Sequence, residues 1–96
     1  MDLKLEPERL NNVYYALRGS TFILNCTIVL GNVQAVNLTW QHNGKWLDHE
    51  AEQVDSATVQ LKLSNTSRIS DGLYWCGPKL GNTSLGVNIS LTVAGN

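Results

Sequence analysis

A chain of 96 residues carrying a net charge of −1 is long enough for one domain with one core, expected to span residues 1–96. Its 7 basic side chains form no run, which argues against a nucleic-acid surface. No apolar stretch approaches the roughly 20 residues that cross a bilayer, so direct membrane insertion is not expected.

Met1-Asp2-Leu3-Lys4 leads into charge rather than an apolar run, so no signal peptide is read there. Met1 reads as an added start, and the chain as part of a larger ectodomain. Leu3 to Pro7 is expected to form an edge strand, because proline cannot donate to a ladder and suits an edge or a strand end. Glu8 to Asn12 is a polar connection. Val13, Tyr15 and Leu17 alternate with Tyr14, Ala16 and Arg18, a half-buried strand that ends at Gly19. Thr21 to Ile28 is the clearest strand. Phe22, Leu24, Cys26 and Ile28 share one face; Ile23, Asn25 and Thr27 share the other. Leu30-Gly31-Asn32 breaks the pattern.

Val36, Leu38 and Trp40 form the next apolar row, opposite Asn37, Thr39 and Gln41. Asn43-Gly44 is a two-residue hairpin signal, since both residues accept positive φ. A short strand around Lys45 to Asp48 should follow. Val59, Leu61 and Leu63 then alternate with Thr58, Gln60 and Lys62. Asn65 to Asp71 makes a corner. Tyr74 and Cys76 share a face, with Trp75 on the other. Gly81-Asn82 turns the chain into a last strand, where Leu85, Val87, Ile89, Leu91 and Val93 alternate with Gly86, Asn88, Ser90 and Thr92. No stretch has the helical period.

The two cysteines lie 50 residues apart, Trp40 lies 14 residues after Cys26, and Tyr74 stands two residues before Cys76. This order resembles the immunoglobulin superfamily, over about Leu3 to Val93. The resemblance implies an all-β, two-sheet antiparallel sandwich with one inter-sheet disulfide, Cys26–Cys76. It implies that Trp40 packs on that disulfide in the core. It also implies that the Tyr74 ring fills core while its hydroxyl bonds back to the corner. The rows containing Cys26, Trp40 and Tyr74 then face inward. Closing so long a loop restrains the unfolded chain by roughly 4 kcal/mol, a large share of the usual total of about 5–15. The 16 residues from Gln41 to Ser56 have room for one or two short strands, which makes the type C2 or I rather than variable. Two positions depart from the family pattern. Its corner Asp falls on Ser70, with Asp71 beside it, and its apolar corner residue falls on Thr66, leaving Ile69 as the candidate to fill the gap.

Five sequons, at Asn25, Asn37, Asn65, Asn82 and Asn88, exceed what chance pairing of 10 Asn with 14 Ser and Thr would give. Together with the cysteines they point to a glycosylated protein in an oxidising, extracellular setting. The strand registers place Asn25, Asn37 and Asn88 outward.

No chemistry is expected. His42 and His49 with the two cysteines lack zinc-ligand spacing, the acidic residues show no calcium-loop spacing, and no strained nucleophile turn is visible. Neither a catalytic residue, a metal nor a cofactor is assigned. Trp75 is forced outward, and Trp46 and Leu47 should stand beside it on the short strand; exposed aromatics are favoured anchors of interfaces. The loops around Asn32 and around Lys79 and Leu80 offer a second surface. The leading reading is a protein-binding domain of a cell-surface receptor or adhesion glycoprotein, immune or cytokine-related, whose partner is an extracellular protein ligand or counter-receptor. The run Gly72 to Gly77 resembles those of leukocyte and Fc-type receptors. Rival readings are a spacer that positions neighbouring domains, and a secreted or viral immune decoy.

Overall fold

A computed structural model describes residues 2–29, 37–79 and 85–95. Among the described residues, nine strands make two sheets. In chain order they are β1 (Asp2–Glu6), β2 (Val13–Leu17), β3 (Phe22–Val29), β4 (Leu38–His42), β5 (Lys45–Trp46), β6 (Ala51–Gln53), β7 (Thr58–Leu63), β8 (Gly72–Pro78) and β9 (Val87–Ala94). One sheet has the order β1-β3-β7-β6, the other β2-β9-β8-β4-β5. The chain changes sheet between β1 and β2. The Tyr14 hydroxyl fastens that crossing by donating to the Pro7 carbonyl at 2.6 Å. β2 then runs parallel to β9, the only parallel pairing among the described strands.

The expected inward rows close the core. Leu24, Cys26, Trp40, Leu61 and Cys76 are fully buried. Cys26 on β3 and Cys76 on β8 are bonded across the sheets, with Cα atoms 6.7 Å apart. The Trp40 indole donates to the Val59 carbonyl at 3.3 Å, so the largest core side chain leaves no polar atom stranded. Between Trp40 and β7 there are indeed two short strands, one in each sheet. Asn43 and Gly44 both take positive φ, 49° and 84°, as the hairpin required.

The corner differs from expectation in one respect. Tyr74 does donate back to Ser70 O, at 2.6 Å. But Ile69 does not fill the apolar gap; it is 86% exposed on the 3-10 turn Arg68–Ser70. Thr66 fills it instead. It is 1% exposed, and its hydroxyl donates to Leu17 O at 2.7 Å, joining the Ser20 N–H and hydroxyl on that carbonyl, so the buried hydroxyl is itself satisfied. The work of the usual corner Asp is divided. Ser70 closes a capping box with Ser67, and the Asp71 carboxylate accepts the Val93 N–H. The last strand also starts later than expected. Its ladder with β8 begins at the Cys76–Val87 pair, and Leu85 lies outside it, 43% exposed. Val36, Asn32, Leu80 and Asn82 lie outside the described residues.

Candidate interaction surface

Alternation gives each sheet one outer face, and the two faces differ. On the four-stranded sheet the outward positions include Asp2, Lys4, Glu6, Glu52 and Lys62, with Asn25 among them. On the five-stranded sheet the outward strand positions carry no Asp, Glu, Lys or Arg. They present Tyr15, Leu17, Leu73 and Trp46, which are 70%, 69%, 62% and 51% exposed. Depletion of charge with enrichment of aromatics is the composition of an interface core.

Strand register lines up the centre of this face. Asn88 on β9, Trp75 on β8, Gln41 on β4 and Trp46 on β5 are successive cross-strand neighbours. Trp75 and Trp46 therefore share one row, with Gln41 between them. Trp46 stands up at the sheet edge, more than half exposed. Trp75 lies down. A Cβ at Gly77 or at Gly86 would fall inside its indole ring, so the ring rests flat on those two glycines and is half-buried. Neither glycine takes positive φ; both are glycine to let the ring approach the backbone.

Leu47 leaves the face. It is the next residue along from Trp46, so its side chain points to the other side and packs against the core. It helps line a groove of about 710 Å³ along the edge where β5 and β6 part, with Leu38, Ala51 and Val59 at its base and Trp46 and Lys79 beside it. Of the sequon asparagines, Asn37, Asn65 and Asn88 are exposed. Asn25 is half-buried, and its carboxamide oxygen accepts from Gln60 at 3.1 Å.

Of the residues considered for chemistry, the cysteines and His42 are occupied otherwise, and His49 is exposed. Both cysteines are in the disulfide. The His42 ring stacks on Tyr74, with centroids 4.1 Å apart and planes 2° from parallel. Its Nε2 stands 2.8 Å from Asp71 O; a carbonyl only accepts, so Nε2 carries the proton. Burial pushes the Tyr74 phenol well above its usual range, and the nearby Glu50 and Asp71 add to the effect. The Tyr14 phenol is raised as well, chiefly by burial, with Arg9 opposing. Both stay neutral and act as structural donors.

Residues 13–88 match the model of the immunoglobulin domain family. The chain belongs to that family. Among curated proteins, this immunoglobulin domain is 29% identical over 86 residues to vascular endothelial growth factor receptor 1 of Rattus norvegicus, covering 80% of this chain and 6% of that one. It therefore corresponds to a small part of the receptor's length. Solved structures agree on the fold. The I81 domain of titin superposes with a TM-score of 0.68 at 16% identity, covering 97% of both chains. The titin tandem A164-A165 gives 0.68 at 21% identity, covering 96% of this chain and 49% of that one. The Ig7 domain of Dscam1 gives 0.63 at 14%, covering 82% and 84%.

Sequence reasoning placed Trp46 and Trp75 on one outer face but missed the glycine floor. A signal for it was present: Gly77 follows Trp75 by two, on the same face, and Gly86 lies beside Gly77 on the adjacent segment.

Proposed function

We propose that this immunoglobulin domain is an extracellular recognition module of a cell-surface receptor, and that its partner protein docks on the outer face of the five-stranded sheet. The observation that carries the proposal is the segregation of charge between the two outer faces. A module that only held neighbours apart would have no reason to keep one whole sheet face uncharged while exposing Trp46, Tyr15, Leu17 and Leu73 there. Trp46 is the principal anchor, because it stands free at the edge beside the groove. The likeness to a receptor supports the setting, as do the disulfide and the exposed sequons. The immune or cytokine-related assignment is a finer form of the same reading, resting on the Gly72–Gly77 run.

The test is binding. Glycosylated domain, multimerised for avidity, is applied to an array of soluble and cell-surface ectodomains, and hits are measured with Trp46→Ala. A partner should be found, and Trp46→Ala should weaken it by about 2 kcal/mol, roughly 30-fold, with the melting temperature unchanged. No partner at micromolar concentration, or full affinity in Trp46→Ala, would favour the spacer reading.

A further inference from the structure

Trp75 has an unusual presentation for a surface aromatic. One face of its indole packs against Gly77 and Gly86, and the residue as a whole is only half-buried, so part of the ring remains accessible. The indole N–H makes no hydrogen bond to any described residue. Among the described strands, the outward positions around it carry no charged side chain. A flat, one-sided aromatic platform with a free N–H donor suits one ligand chemistry well: the apolar face of a pyranose ring bearing an acetamido group. The carbon–hydrogen face stacks on the indole, and the acetamido carbonyl can accept from the N–H.

The tether for such a ring is in place. Asn88 is the direct cross-strand neighbour of Trp75. It is exposed, its carboxamide is held by no described residue, and it heads the sequon Asn88-Ile89-Ser90. Directly opposed side chains in an antiparallel pair start about 5 Å apart, within reach of a first sugar. No other sequon asparagine in the described strands is paired with an outward aromatic: Asn25 opposes Glu6 and Gln60.

We infer that Asn88 carries an N-linked glycan whose first N-acetylglucosamine lies on Trp75, roofing the centre of the five-stranded face. The attachment uses a lipid-diphosphate-linked oligosaccharide. The Asn88 amide nitrogen bonds to the anomeric carbon, the bond from that carbon to the phosphate oxygen breaks, the amide loses one proton and the lipid diphosphate leaves. The roofed Trp75 then becomes part of the domain's own surface, and Trp46, further along the row, remains the free aromatic. This goes beyond the proposed recognition role and does not depend on it, since it concerns only the chain and its own sugar.

The experiment uses protein made in glycosylating animal cells. Glycopeptide mass spectrometry reads occupancy at Asn88. Glycans are then trimmed to the single first sugar with an endoglycosidase, and its protons are observed by NMR. Asn88 should be occupied. Its sugar protons should shift upfield from those of the other sequons, and Trp75→Leu should abolish that shift. Ser90→Ala, which blocks attachment but leaves both stacking residues, should lower the melting temperature by about 4 °C or more, while removal of the Asn37 sugar should not. An unmodified Asn88 would overturn the inference. So would an occupied Asn88 whose sugar protons match those of the other sequons. If Trp75→Leu fails to fold, Ser90→Ala and the wild-type spectrum still decide it.

Discussion

Gly86→Ala should destabilise this domain through one contact, the indole of Trp75. A methyl group at that position would overlap the ring, so the ring must lift or the strand must shift. Lifting the ring exposes the area that it and its floor cover. If half of the roughly 150–250 Å² that a large aromatic can bury is lost, about 100 Å² at about 25 cal/mol per Å² gives a ceiling near 2.5 kcal/mol. An opposing effect is smaller: alanine restricts the unfolded chain and stabilises by about 0.4–1 kcal/mol wherever φ allows it, as it does here. The net cost should be about 1–2 kcal/mol, read from urea unfolding at constant m-value. A double-mutant cycle isolates the cause. In a Trp75→Ala background the same Gly86→Ala change should be neutral or stabilising, because only the entropic effect is left. An equal cost with and without the indole would refute the platform geometry.

Three further outcomes are expected. Trp40→Ala should cost about 3–5 kcal/mol, enough to unfold most of the population, so an unchanged urea midpoint would show the core to be misassigned. Thr66→Val keeps the shape but removes one of three donors to Leu17 O, and should cost about 0.5–1.5 kcal/mol, whereas Ile69→Ser should stay within about 0.5; the opposite ranking would restore Ile69 to the core. Tyr74 has a raised folded-state pKa, so its contribution is intact below about pH 10 and declines above it, as the unfolded chain gives up a proton that the folded one keeps. Tyr74→Phe should be less stable at neutral pH, through the lost bond to Ser70, and should show a shallower alkaline decline; identical alkaline slopes would sink that assignment.

The sandwich was legible because its signals are each local or short-period. Cys26, Trp40, Tyr74 and Cys76 sit on rows whose period of two fixes the inner face once a single member is placed. Asn43-Gly44 announced its own turn. β2 was harder. Val13, Tyr15 and Leu17 are as apolar as Tyr14 and Ala16, so alternation alone could not choose a face. The structure chose by giving the Tyr14 hydroxyl the Pro7 carbonyl, which left Tyr15 and Leu17 outside. Thr66 was misjudged for a related reason. Its burial depends on carbonyls supplied by the β2–β3 turn, which are distant in sequence. Trp75 was correctly placed outward, but parity says only which side a ring leaves from. Whether it stands or lies depends on what occupies the same face two residues on and one strand over.

That distinction decides how the two outward tryptophans differ in use. A side chain that protrudes keeps its rotamer freedom in the free protein and must lose it when a partner binds. One already pressed on glycine has lost it on folding, and offers a rigid flat surface rather than a knob. Trp46 is therefore suited to insert into a partner's pocket, and Trp75 to receive something laid on it. Both belong to one cross-strand row in a face without charge, yet the partner each can accept is different. The uncharged face as a whole cannot be steered toward a ligand by its own field, so whatever selects the partner must act at short range. Shape at Trp46, together with the groove opening beside it, is the short-range feature this face has to offer.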